Sequence, residues 1–182
     1  MTTVDQIVVR DGAASDREAV SALQVASWRD SYRGLLPDAY LDGALAEDLT
    51  ATWGRKLEGG KLEDGPDRHS LLLLAESDRQ LEGFIYACPD PKRPDSAYID
   101  NLHVAPGQRG AGLGTRLLRQ AAKRLALQGY YGAHLRVFVA NEAAVRFYLR
   151  LGAHITRRET DNLMGYPADT YSLEWSDLSA LI

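Results

Sequence analysis

Apolar and polar positions along the chain change period several times, and each change marks an element. Gln6 to Arg10 reads as a strand closed by Asp11-Gly12. Ser15 and Glu18 have the spacing of a capping box, and Val20, Leu23 and Ser27-Trp28 then recur at helical spacing to about Asp30. Tyr32 to Pro37 interrupts the pattern. A second helix is predicted from Pro37-Asp38 through Tyr40, Leu41 and Leu45, with helical character resuming between Glu47 and Glu58. Gly59 to Arg68 is a polar loop.

Three strands follow. Ser70 to Glu76 is an apolar run of the kind buried on both faces, and Ser77 to Gln80 makes a hairpin turn into Leu81–Ala87. Pro89 to Pro94 punctuates the exit, and Ala97–Val104 ends at Ala105-Pro106-Gly107. Leu113, Leu117, Leu118, Ala121 and Leu125 form the stripe of a long helix from about Gly112 to Gln128. A strand at Leu135–Val139 precedes a helix capped by Asn141, carrying Val145, Tyr148 and Leu149 and stopped by Gly152. Ala153–Arg158 and Thr170–Trp175 read as final strands. The order predicts one domain over residues 1–182, an α/β mixture (α+β mixed) with antiparallel hairpins. The strand-helix-strand unit from Ala97 to Val139 predicts one right-handed crossover.

Composition narrows the function classes. The chain has 182 residues, 45% of them hydrophobic and 25% charged, with a net charge of −4. That is enough for one compact core, and the charge offers no basic stripe for nucleic acid. The single cysteine, Cys88, has no internal disulfide partner and no ligand spacing around it, so no metal is expected. Leu71 to Ala75 is far too short to span a bilayer, and Met1 to Asp11 lacks the plan of a secretory leader. These features lead to the expectation of a cytoplasmic protein with neither membrane nor nucleic-acid partners.

The segment Leu102-His103-Val104-Ala105-Pro106-Gly107-Gln108-Arg109-Gly110-Ala111-Gly112-Leu113-Gly114-Thr115 lies between a strand and the long helix. Alternating glycines let the backbone turn so that successive amides face inward, and a helix N-terminus adds its dipole, which together favour an anion such as phosphate. Arg109 and Arg116 can add charge at the edge. No lysine follows the glycines as a nucleoside-triphosphate loop requires, and Gly110, Gly112 and Gly114 depart from the dinucleotide spacing. A glycine-rich helix start with no ligand is the alternative at this level.

Arg109 through Gly114, preceded by Leu102-His103-Val104-Ala105-Pro106, resembles the signature of the GNAT superfamily of N-acetyltransferases. Asn141, Ala143-Ala144, Phe147-Tyr148 and Leu151-Gly152-Ala153 resemble a second block of that family. The resemblance implies a GNAT-like fold: a mixed, mostly antiparallel sheet flanked by helices, with a splayed strand pair holding the arm of CoA. It implies acetyl-CoA as co-substrate. Arg109, Gly110, Ala111, Gly112, Leu113, Gly114 and Thr115 would hold its pyrophosphate through their amides. The backbone of Leu102, His103 and Val104 would pair with the pantetheine arm. Asn141 would bond the cofactor near its middle, and Tyr148 would lie close to the thioester sulfur.

Catalysis needs a neutral amine, a stabilised carbonyl oxygen and an acid for the leaving thiolate. By the same resemblance Tyr148 suits the acid role, with core packing as its alternative, and the Val104 amide can face the carbonyl oxygen. Asp100 is the candidate base. The period of two places it on one strand face with Leu102 and Val104, and a structural or substrate-contacting role is its alternative. Tyr98 stands where some members carry glutamate. His103 is the other nearby titrating group, expected on the opposite face, while His134 and His154 are expected to be ordinary strand or surface residues. The acceptor site is expected from Trp28 and Tyr32, near Arg29 and Tyr40, with the loop Asp161–Asp169 covering it or connecting strands. The expected partner is a small-molecule or peptide amine, and a homodimer is consistent with the family. An acyl-CoA sensor without turnover and an enzyme acting on protein lysines or N-termini are the alternative functions.

Overall fold

The computed structural model describes residues 7–58, 69–78, 80–163 and 165–182. The predicted loop Gly59 to Arg68 and the start of the first strand at Gln6 lie outside the described residues. Among the described residues seven strands form one sheet: β1 (Val8–Asp11), β2 (Leu71–Ser77), β3 (Gln80–Cys88), β4 (Ser96–Val104), β5 (Gly132–Phe138), β6 (His154–Leu163) and β7 (Tyr166–Trp175). Their spatial order is β1-β2-β3-β4-β5-β7-β6. Every neighbouring pair is antiparallel except β4 and β5, which run parallel through the predicted crossover. The helices are α1 (Arg17–Ser31), α2 (Asp38–Asp42), α3 (Leu45–Glu58), α4 (Leu113–Leu127) and α5 (Glu142–Arg150).

The apolar run in β2 is buried on both sides because helices cover both faces. Leu71, Leu73 and Ala75 point into a core built with Leu117, Leu118 and Ala121 of α4. Leu72 and Leu74, one residue out of phase, pack with Val20 of α1, Trp53 and Leu57 of α3, and Phe84 and Tyr86 of β3. Each fully buried Leu contributes about 1.5–3 kcal/mol relative to exposure. A third cluster joins Trp28, Tyr32, Tyr40 and Leu49 to Phe138, Leu163 and Tyr166. It ties the first three helices to the far end of β5 and the β6–β7 hairpin. Among the described residues no helix is long and apolar enough to cross a membrane.

Four expectations need correction. The N-terminal box of the first helix is made by Asp16, whose carboxylate accepts from the Ala13 amide at 2.8 Å, ahead of a 3-10 turn at Ala14–Asp16. Asp16 holds this place rather than Ser15 and Glu18 because Arg10 pins it at 2.7 Å while also gripping Glu76 at 2.6 Å. The second helix stops at Asp42, and Gly43-Ala44 separates it from α3, which already includes Leu45. β5 starts at Gly132, three residues early, since Gly132, Ala133 and His134 are held by pairing with Ser96, Ala97 and Tyr98. The segment Asp161–Asp169 is largely strand: β6 and β7 pair out to Leu163 and Tyr166. Polar contacts sustain that ribbon, with Asp169 accepting from Arg158 at 2.7 Å and Thr160 at 2.8 Å.

Candidate active site

β4 and β5 are paired at only three positions, Ser96 with Gly132, Ala97 with Ala133 and Tyr98 with His134. Beyond them the strands part. The edge of β4 that faces β5 then has no backbone partner among the described residues, while its other edge stays paired to β3 out to Val104 opposite Gly83. A cleft of about 760 Å³ fills the gap, running from the start of α4 to the third aromatic cluster.

At one end lies the glycine-rich turn. Gly110 (φ 80°) and Gly112 (φ 88°) both occupy left-handed backbone that an L side chain adopts at a cost of about 1–2 kcal/mol. The first intrahelical bond of α4 runs from the Arg116 amide to the Gly112 carbonyl at 3.0 Å. Ahead of it, the amides from Gly110 to Thr115 have no hydrogen-bond partner among the described residues. Six unpaired donors at a helix N-terminus make a site for an anion. The cradle is also close to the opposite wall, since a Cβ on Gly114 would lie 3.4 Å from Cζ of Phe147.

Arg109 stands apart from that run. Its amide closes the preceding turn onto Pro106 at 3.4 Å, so it is not one of the unpaired donors. Its guanidinium turns to α1, ion-paired with Asp30 and donating to Ser27 and Ser31 at 3.3 Å each.

A β-bulge shapes the middle of the cleft. Tyr86 of β3 pairs with Asn101 while the adjacent Ala87 pairs with Ile99, leaving Asp100 as the extra residue of β4. The bulge resets the side-chain alternation. Ala97, Ile99, Leu102 and Val104 all pack on the α4 side, whereas Asp100, Asn101 and His103 turn to α1 and α3. The expected sharing of a face by Asp100, Leu102 and Val104 is therefore wrong, as is the placing of His103 opposite Asp100.

Asp100 is ion-paired with Lys56 of α3 and accepts from the Asn101 amide at 2.9 Å, both at Oδ2. A buried chain continues from Asn101 Oδ1, which accepts from Gln24 at 3.0 Å. Gln24 Oε1 in turn accepts from the Trp53 indole N–H at 2.6 Å. The Lys56 ammonium sits 4.8 Å from the Trp53 ring and 5.3 Å from that of Tyr86. Tyr98, beside Asp100, has its phenol pushed up to about 12 by burial and by that carboxylate.

His103 is held neutral. Burial, reinforced by the nearby cations of Arg109 and Lys56, lowers its pKa to about 3, and its Nδ1 shares a hydrogen bond with Ser27 Oγ at 3.0 Å. Tyr148 is buried between Phe147 and Trp175, with ring centroids 5.0 and 6.0 Å away. Its hydroxyl has no hydrogen-bond partner among the described residues, and burial, with Tyr32 nearby, raises its pKa so that it keeps its proton. Asn141 caps α5, Oδ1 accepting from Ala144 at 3.2 Å, and its amide also reaches the Tyr32 phenol, whose pKa burial raises. Trp28, Tyr32 and Phe138 form an edge-to-face ladder at 5.2 and 5.3 Å in the cleft wall.

The cleft brings together every site residue predicted from sequence except Ala111, which is exposed and does not line it. Sequence reasoning missed Lys56 and Arg136. Arg136 faces the cleft from β5, bound to Asp161 at 2.6 Å and Glu159 at 3.0 Å. Lys56 had a legible signal: with Leu49 and Trp53 it continues the inward stripe of α3 at i, i+4 and i+7. A cation on a buried stripe calls for an anionic partner. These features fit a phosphate-bearing thioester: unpaired amides for the diphosphate, an open strand edge for an amide-containing arm, and a protonated phenol in the wall.

Comparison with known proteins agrees with this geometry. A mycothiol acetyltransferase of Paenarthrobacter aurescens is 34% identical over 112 residues, 60% of this chain and 34% of that protein. A probable N-acetyltransferase of Mycobacterium tuberculosis is 30% identical over 154 residues, 84% of this chain and 82% of that one. The matches to the first three curated relatives span 34%, 47% and 62% of their lengths. The PaiA N-acetyltransferase of Thermoplasma acidophilum, solved in complex with coenzyme A, shares the fold with a TM-score of 0.71 at 22% identity, covering 92% of this chain and 97% of that one. The model of the acetyltransferase (GNAT) family matches residues 25–153. With the parted strands and the glycine turn inside that span, the chain belongs to the acetyltransferase (GNAT) family.

Proposed function

We propose that the protein transfers the acetyl group of acetyl-CoA to a primary amine of a small molecule or peptide, both substrates being bound together in the one cleft. The observation that carries this reading is the run of unpaired amides from Gly110 to Thr115 beside the bare edge of β4. When bound, acetyl-CoA supplies an acyl carbon whose bond to sulfur is exchanged for a bond to the amine nitrogen, one proton leaving the amine and one reaching sulfur.

The chain's own groups set up that exchange. The Gly110–Thr115 amides hold the diphosphate, and Leu102, His103 and Val104 offer backbone partners to the arm. Asp100 receives a proton from the acceptor ammonium, whose ordinary pKa of about 10.4 leaves it charged at neutral pH. Tyr148 keeps its proton until a thiolate needs it. Trp28, Tyr32 and Phe138 wall the acceptor side and exclude water.

Calorimetric titration with CoA, followed by thiol release from acetyl-CoA across a panel of amines, tests the reading. Binding with amine-dependent thiol release is expected. Absence of CoA binding overturns the reading, and binding without turnover on any amine replaces it with a sensor.

A further inference from the structure

Two ion pairs line the cleft, Lys56–Asp100 and Arg136–Asp161. They differ in how fully they are satisfied. Arg136 spends its charge on two carboxylates, Glu159 and Asp161. The Lys56–Asp100 pair is left half-engaged. Both partners of the Asp100 carboxylate sit on Oδ2, and Oδ1 has none among the described residues. Among the described residues Lys56 donates one hydrogen bond of its three, to Asp100. The faces of Trp53 and Tyr86 hold its ammonium in place without using the other two hydrogens.

Both side chains are about one-quarter exposed and both line the cleft. A partly buried ion pair with spare capacity on both partners gains most from a ligand that completes both at once. The complement of a bare carboxylate oxygen beside an under-used ammonium is an ammonium beside a carboxylate.

Resting on the reading of the cleft as an acetyl-transfer site, we infer that the acceptor is an amino carboxylate of the α-amino acid type: Asp100 Oδ1 takes its ammonium and Lys56 its carboxylate. Because Lys56 and Asp100 touch, the two ligand groups must lie close together, which excludes long ω-amino acids and simple amines as the preferred class. The same pairing sets up reaction, since the proton the ammonium must lose goes to the oxygen that binds it. Lys56 is thereby a specificity residue. The chain Asn101–Gln24–Trp53 is a positioning element, holding Asp100 by its Oδ2.

The test compares, for the proteinogenic L-amino acids, each free acid with its methyl ester and its decarboxylated amine, reading thiol release from acetyl-CoA. Losing one charged hydrogen bond should cost about 10- to 150-fold. At least one free acid should exceed its ester and amine in kcat/KM by that factor. The Lys56→Met variant should collapse the ratio towards one, chiefly through KM for the acid. If that variant unfolds, the comparison within the wild-type protein decides alone. Esters or amines turned over as well as the acids overturn the inference while the acetyltransferase reading stands. CoA binding with no acid turned over also overturns it. Failure to bind CoA at all overturns the reading beneath it.

Discussion

Replacing Gly112 by alanine isolates the geometry of the anion cradle. Nothing lies within 4 Å of the added Cβ, so the change introduces no clash, and its whole effect acts through the backbone at φ 88°. If the turn keeps its shape, the strain of about 1–2 kcal/mol appears as lost stability. That is about 2–8 °C in Tm for a chain of this length. If the turn relaxes instead, the amides beside it swing out of line. Each charge-assisted bond lost to a diphosphate is worth about 1.5–3 kcal/mol, a rise in Kd for CoA of about 10- to 150-fold. Gly107 is the control. It lies in the preceding turn, also with nothing within 4 Å of an added Cβ, but outside the left-handed region. Gly107→Ala should leave CoA affinity unchanged and stabilise the fold slightly, by about 0.4–1 kcal/mol. Calorimetry with CoA and thermal unfolding read both variants. A Gly112→Ala protein with unaltered Tm and affinity, or a Gly107→Ala protein equally impaired in CoA binding, would refute the reasoning.

Tyr148→Phe removes a hydroxyl that has no hydrogen bond among the described residues, so CoA affinity and Tm should hold while kcat falls about 100-fold or more; an unchanged kcat would show the ring to be packing alone. Trp53→Phe leaves Gln24 Oε1 without its donor in a buried site and should destabilise the fold by about 1–3 kcal/mol in urea unfolding. His103 is neutral in the fold down to about pH 3 but takes up a proton near 6.5 once unfolded. Between those values the unfolded chain holds the extra proton, so this contribution is complete above pH 6.5 and declines as pH falls, by up to about 1.4 kcal/mol per pH unit. Urea midpoints measured from pH 7.5 to 5 should drop less steeply in His103→Gln than in the wild type, and parallel profiles would contradict the assignment.

Where local chemistry decides an element, the sequence was readable. Asn141 caps α5 through its own side chain, and the glycine turn opens α4 within one residue of its expected start. The burial of β2 on both faces follows from five consecutive apolar residues. Features set by pairing partners were not readable. The bulge at Asp100 depends on how β3 registers against β4, and it reversed two faces that a strict period of two assigns. The β6–β7 ribbon carries charged residues on its solvent side, so its outer half shows no hydrophobic alternation to find. Lys56 lies 44 residues from Asp100, and only the packing of α3 on β4 brings the two together.

Acetyl-CoA binding requires that the Gly110–Thr115 amides receive a diphosphate, and an amide-resolved NMR titration observes those donors one by one. Saturable shifts on adding CoA should be largest at Gly110 to Thr115 and extend to Leu102–Val104. Pantetheine, which lacks the phosphates, should move only the strand residues. Titration with CoA that leaves the Gly110–Thr115 signals in place, or moves signals elsewhere in their stead, would contradict the account.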